Sequence, residues 1–266
     1  MRYALISDIH ANLQALDAVL ADIDARADTD ATYHLGDLVG YSSNPNEVVT
    51  RLKERSIHGI AGNYDSTVAT DYKHCGCQSE TPRQEELAHI SYAYTRDAVT
   101  ADTKAFLGSL PFSLDVRPLG GHAAGPRLVL VHGTPVLNTV YWTKDRSDDF
   151  CLKMAASVGL KRGDAIAFGH THKPWHREVE GIHFINTGSV GRPKDGDWRA
   201  GYVRFEVAGA ELRVEFVRVP YDVEATARGV LAAGLPGEFT EFLRTGGVPV
   251  PPSRTELDTN SRPTSR

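Results

Sequence analysis

At 266 residues, with 41% hydrophobic and 24% charged side chains, the chain has apolar material for a sizeable core, in one large domain or two small ones. A net charge of -5 argues against a protein that coats nucleic acid, although metal ions could still reverse the local sign for a phosphate substrate. No run of about 18 apolar residues is present to span a membrane, and three cysteines make no disulfide framework. With no leader pattern at the start, the expectation is a protein of the reducing cytoplasm.

The first block is Ala4-Leu5-Ile6, which reads as a buried strand. It ends at Ser7-Asp8-Ile9-His10, where a carboxylate and an imidazole two positions apart would share one face of an extended backbone. Asn12 then reads as a helix N-cap, with substrate contact as its alternative, ahead of the apolar face Leu13, Leu16, Val19, Leu20 and Ile23. A strand over 31–35 ends at Gly36-Asp37. A helix over 45–53 has Pro45 in its first turn. A short strand over 57–60 ends at Gly62-Asn63-Tyr64-Asp65, where Asp65 caps or orients its neighbours.

A polar insertion over 72–81 carries His74, Cys75 and Cys77, which are cramped for a zinc site and read more simply as a loop. Residues 82–110 are helical, with a break expected near Thr100 and with His89 as a substrate-facing candidate. Strands over 112–116 and 127–131 flank a glycine-rich hairpin loop over 120–126, and the second ends at His132-Gly133. Asn138, Tyr141 and Trp142 follow as a substrate wall or a packed loop. A helix over 148–158 holds Cys151, a small core residue. The buried strand 165–168 ends at Gly169-His170-Thr171-His172.

A strand over 182–185 leads to Asn186-Thr187-Gly188-Ser189 and on to Arg192 and Lys194, which face a substrate anion or solvent. A hairpin over 201–219 turns around Gly209. His34 and His58 read as structural, while His122, His176 and His183 show no convincing partner. The division is a core domain over 1–221, a helical appendage over 222–246 and a mobile tail over 247–266. Strand–helix alternation followed by a strand-rich half points to an α/β fold of two packed sheets with helices outside.

Polar residues recur at these strand ends: Asp8, His10, Asp37, Asn63, His132, His170 and His172. Oxygen and imidazole donors of this kind suit Mn, Fe, Ni or Zn. They are too many for one tetrahedral ion but fit two ions sharing a carboxylate, an arrangement that clamps a phosphate.

Asp8-Ile9-His10, Gly36-Asp37, Gly62-Asn63, His132-Gly133 and Gly169-His170-Thr171-His172, in this order, resemble the motif blocks of the calcineurin-like metallophosphoesterases. Asp8–Leu13 and Gly36–Tyr41 look closest to the small bacterial and archaeal phosphodiesterase branch. The resemblance implies a four-layer α/β/β/α sandwich of two mixed sheets. It implies two divalent ions, Mn²⁺ favoured, with Asp8, His10 and His172 on one, Asn63, His132 and His170 on the other, and Asp37 bridging. It also implies attack of a metal-bound hydroxide on phosphorus, with Asp37, Asn63 and Tyr64 at the reacting group. One position departs from the family pattern: Tyr64 stands where a histidine commonly protonates the leaving oxygen. A phenol is a poor general acid near neutral pH, so Tyr64 donates to a phosphate oxygen or packs, and phosphodiesters are favoured.

The rival readings are a phosphomonoesterase or phosphoprotein phosphatase, a dinucleoside-polyphosphate hydrolase, and a non-catalytic protein-interaction scaffold. The expected partner is a phosphate-ester substrate, a nucleotide among the candidates. Substrate contacts are assigned to Asn12, His89 and Arg192, and the oligomeric state stays open.

Overall fold

A computed structural model describes residues 1–79, 81–116, 126–208 and 211–248. Strands β1 (Arg2–Ile6), β2 (Ala31–His34) and β3 (His58–Gly59) run parallel, and the antiparallel pair β9 (Ala200–Ala208) and β10 (Glu211–Val219) extends their sheet beside β1. In the second sheet β5 (Leu128–Val131), β6 (Ala165–Phe168) and β8 (Ile182–Asn186) are parallel. Its antiparallel edges are β4 (Ser113–Val116) and β7 (Trp175–Val179).

Alternation along the strands explains the layering. Tyr3 and Leu5 of β1, Leu128 and Leu130 of β5, and Ala165 and Ala167 of β6 meet between the sheets with Val203 and Phe205. The alternate residues face outward under helices. Ala4 and Ile6 pack with Leu16, Val19 and Leu20 of α1 (Leu13–Arg26), and with Val48 and Leu52 of α2 (Pro45–Glu54). Val129, Val131, Ile166 and Phe168 pack with Cys151 and Ala155 of α6 (Asp148–Ser157). Both sheets therefore bury both faces, which is the expected helix–sheet–sheet–helix order.

The helical stretch breaks as anticipated, into α4 (Pro82–Ala98) and α5 (Ala101–Ser109), with Thr100 capping the second through Thr103 N–H. Two elements were not foreseen. The strand β7 reads Trp-His-Arg-Glu-Val; only its ends are buried, because it is an edge strand with a polar outer row. The helix α3 (Asn63–Ala69) begins at the third motif block itself. His176 and His183, expected to lack partners, stack on each other with ring nitrogens 3.0 Å apart.

The appendage consists of α7 (Val223–Ala232) and α8 (Gly237–Thr245), whose Val230, Leu235, Phe239 and Leu243 pack on Tyr41, Leu87, Ile90 and Tyr94. The last eighteen residues, most of the 120–126 loop with His122, and Gly209 lie outside the described residues. Among the described residues no helix is long and apolar enough to cross a membrane.

Leu130 is fully buried between the sheets. Leu130→Ala should lower unfolding stability by about 2–5 kcal/mol, the usual cost of lost burial plus a cavity. Urea denaturation checks this; a shift below about 1 kcal/mol would mean that the two sheets do not share a tight core.

Candidate metal centre

The carboxyl ends of β1, β2, β3, β5 and β6 point to one place, at one end of the two face-packed sheets. Asp8 and His10 follow β1, Asp37 follows β2, Asn63 opens α3, His132 follows β5, and His170 and His172 follow β6. All are buried. Two groups form: the donor atoms of Asp8, His10 and His172 lie within 4.8 Å of one another, as do those of Asp37, His132 and His170.

The expected reason for the pairing of Asp8 with His10 needs correction. Neither lies on extended strand. Asp8, His10, Asp37, His170 and His172 all sit at positive φ, between 50 and 65°. This left-handed conformation is costly for residues with a Cβ, and here it turns each side chain out of the strand direction into the centre. Gly169 lets the sheets approach: a Cβ there would lie 2.0 Å from Ser7 Oγ and 2.3 Å from Asp8 Oδ2.

Backbone carbonyls set the histidine rings. The Nδ1 of His10 lies 3.0 Å from Val39 O, that of His132 2.7 Å from Leu35 O, and that of His172 2.6 Å from Arg192 O. Donation from Nδ1–H places the Nε2 lone pairs inward, as metal-ligating histidines require. Asn63 is oriented likewise: its amide N–H donates to Cys75 O at 2.9 Å, so Oδ1 faces His132 Nε2 at 3.1 Å. Asp37 lies between the groups. Its Oδ1 accepts from Tyr64 N–H at 2.9 Å, while Oδ2 is 3.3 Å from His132 Nε2 and 3.8 Å from His10 Nε2.

The electrostatics fit a cation. Burial, then the charge of His172, lowers His10 to about 3; burial, then the charge of His132, lowers His170 to about 3. Burial also lowers His172, reinforced by Lys194 and Arg192. Neutral imidazoles are what metals bind. Burial opposes charge on His132 as well, but the Asp37 carboxylate prevails and raises it to about 10. Burial raises Asp8. Buried Asp8 Oδ1 and His170 Nε2 have no hydrogen-bond partner. Orphaned atoms of this kind, in a set of oxygen and imidazole donors, match two divalent ions.

Tyr64 is fully buried, with its hydroxyl 3.1 Å from Ser91 Oγ and its ring edge-on to His10 at 5.7 Å. Gly40, at φ +98°, makes room for that ring, since a Cβ there would meet Tyr64 Cε1 at 2.6 Å. This is the packing alternative for Tyr64. Asn12 spends its groups on the fold: it caps α1 through Ala15 N–H at 3.1 Å and donates to Gly191 O at 2.9 Å. His89 is exposed on α4 and is not among the residues gathered here. Arg192 does reach the rim, stacked on Tyr41. Of the proposed wall, Trp142 is core, stacked on Phe168, whereas Tyr141 lies over His170 with ring centroids 4.3 Å apart.

Cys75 and Cys77 are joined as a disulfide, in contrast to the reduced cysteines expected from the sequence, and their loop packs on Asn63. Phe242 of α8 is the part of the rim that the sequence did not signal. It comes from the appendage and carries no motif.

Paired carboxylate–histidine groups at the carboxyl end of the strands of two face-packed sheets define a protein with a candidate dinuclear metal centre. Residues 1–210 match the calcineurin-like phosphoesterase superfamily domain, and the chain belongs to that family, one of metal-dependent phosphoester hydrolases. It is 30% identical over 264 residues to the uncharacterized protein MJ0912 of Methanocaldococcus jannaschii, covering 91% of this chain and 97% of that protein. A metallophosphoesterase from Sphaerobacter thermophilus is similar in structure, at 28% identity and TM-score 0.71, over 92% of this chain and 100% of that one. The hypothetical protein PH1004 from Pyrococcus horikoshii shares the fold at 21% identity and TM-score 0.77, covering 94% and 99%.

Asp65 supports the centre from behind, accepting from Leu38 N–H and Gly62 N–H, each at 2.9 Å. Asp65→Ala would leave two buried donors unpaired. A loss of about 2–4 kcal/mol of stability is expected, with weaker metal retention on gel filtration. Unchanged stability would mean that these turns hold themselves.

Proposed function

We propose that this chain hydrolyses phosphodiesters at two divalent ions, Mn²⁺ favoured. Asp8, His10 and His172 would hold one, Asn63, His132 and His170 the other, and Asp37 both. The observation that carries the reading is Asp37 Oδ2, which faces a histidine of each group. When bound, two such ions supply Lewis acidity toward a phosphoryl oxygen and an activated water for in-line attack.

The chain's own residues do the rest. Nδ1 anchoring by Val39, Leu35 and Arg192 carbonyls holds three imidazoles in place without rearrangement. Tyr141, packed on His170, and the Cys75–Gln78 loop, packed on Asn63, keep bulk water from the centre. Tyr64, raised well above a phenol's ordinary range by burial and with its hydroxyl 3.1 Å from Ser91 Oγ, is too weak an acid to protonate a leaving group at neutral pH. Without that acid, esters with good leaving groups and diesters are favoured over alkyl monoesters.

Protein purified without chelator should carry metal and hydrolyse bis(p-nitrophenyl) phosphate. Asp37→Asn should lower turnover by at least about 10²-fold with a folded spectrum retained. Metal-free protein that Mn²⁺ does not activate would instead support a scaffold.

Tyr64→His should shift turnover from diesters toward p-nitrophenyl phosphate by about tenfold or more. A monoester-to-diester ratio equal to wild type would remove Tyr64 from the account of specificity.

A further inference from the structure

Two cations border the metal centre without an anionic partner. Arg192 is fixed at its backbone, where its N–H donates to Ser189 Oγ at 2.8 Å and its carbonyl accepts from His172 Nδ1 at 2.6 Å. Its guanidinium is sandwiched: Cζ lies 3.8 Å from the ring centroid of Tyr41 and 3.8 Å from that of Phe242. Tyr41 in turn meets the His10 ring edge-on at 5.0 Å. One aromatic ring therefore separates the guanidinium from a candidate metal ligand.

Stacking on both faces satisfies the cation's π contacts but uses none of its in-plane N–H donors. Among the described residues, Arg192 and Lys194 form no ion pair, and the Arg192 guanidinium donates no hydrogen bond. Other arginines of the chain do find carboxylates, for example Arg204 with Asp28 at 2.6 Å and with Glu215 at 2.8 Å. Lys194 is half-buried, two residues on, and its backbone N–H donates to His172 O at 3.2 Å.

The charge balance makes these cations informative. Two divalent ions would already outweigh the buried carboxylates of the centre, Asp8 and Asp37 among the ligands and Asp65 behind them. The Arg192 guanidinium at the rim, with Lys194 held down to about 7 by burial and by that guanidinium, would then repel them unless a ligand brings further negative charge. A phosphodiester contributes a single charge and spends its oxygens at the metals. A planar fork beside a mobile point charge matches a second tetrahedral oxyanion.

Resting on the phosphodiesterase reading above, we propose that Arg192 and Lys194 form a subsite for a second phosphate on the substrate. The scissile diester would lie at the metals, and the second phosphate at the guanidinium, with the Tyr41 ring between Arg192 and His10. The substrate class is then a nucleotide diester bearing another phosphate, rather than a cyclic mononucleotide or a plain aryl diester.

The test compares p-nitrophenyl thymidine 5′-phosphate with the same compound carrying a 3′-phosphate. Scissile bond and leaving group are identical, so the ratio of their kcat/KM values isolates the second phosphate. Wild type should prefer the 3′-phosphorylated probe by about tenfold or more. Arg192→Met should bring the ratio near one, Arg192→Lys should restore part of it, and Lys194→Met should lower it. A wild-type ratio near one, or a ratio unmoved in Arg192→Met, overturns the subsite. Calorimetry of thymidine 3′,5′-bisphosphate against thymidine 5′-phosphate, on the metal-loaded protein, separates the two proposals. An Arg192-dependent gain in affinity with no hydrolysis of either probe keeps the subsite and removes the phosphodiesterase reading. No such gain removes the subsite whatever the hydrolysis.

Discussion

The Asp37 carboxylate is the point on which the two halves of the molecule agree. It leaves β2 of one sheet, yet one oxygen faces His132 from the other sheet and His10 from its own. A buried carboxylate in that position is stable only among positive groups or metal. The Asp37 carboxylate favours positive charge at His132, and burial that would neutralise Asp37 is overcome by the same histidine, a counter-charge that a bound cation would supply in its place. The sheets are packed by apolar residues, but their register at this end is set by the demand that Asp37 have partners.

That demand is met with strained backbone. Non-glycine residues at positive φ cost of order 1 kcal/mol or more each, and several candidate ligands adopt it together. The strain is held by bonds between the turns. His10 N–H donates to Asp37 O at 3.0 Å, Ala11 N–H to Leu38 O at 2.8 Å, Gly169 N–H to His132 O at 2.9 Å, and Gly191 N–H to Asp8 O at 3.0 Å. Each turn is thus closed by its neighbour, which fixes the donors before any ion arrives. Preorganisation of this kind lowers the cost of assembling a metal centre.

Much of this was legible in the sequence, for a physical reason. Strand cores such as Ala165–Phe168 are short apolar runs, and a polar residue directly after such a run has few places to go but the sheet's end. Helix α1 announced itself through its cap at Asn12, and the break at Thr100 was foreseen although its capping role was not. What stayed hidden has no local pattern. The left-handed turns arise from contacts between segments, so the two-residue spacing of Asp8 and His10 suggested the right neighbours for the wrong backbone. Edge strand β7 has a polar outer row and thus no apolar run. Phe242 reaches Arg192 only because α8 folds back onto the core, a placement set by Tyr41, Leu87 and Ile90 rather than by its own sequence.

The tyrosine at position 64 and the cation at position 192 belong to one packing unit. Ser91 Oγ lies 3.1 Å from the Tyr64 hydroxyl and accepts Tyr41 N–H at 2.8 Å. The Tyr64 and Tyr41 rings are 5.2 Å apart, and Tyr41 supports the guanidinium of Arg192, which Phe242 covers from the other side. A histidine at position 64 is too short to reach Ser91 from the same backbone and would leave part of the space under Tyr41 unfilled. It would thus loosen the ring on which Arg192 rests. The tyrosine at position 64 is therefore part of the packing that holds the Arg192 guanidinium in place. On the proposed reading, the leaving-group position and the Arg192 subsite share one aromatic stack, and remote binding of this sort can be spent on the reacting phosphorus.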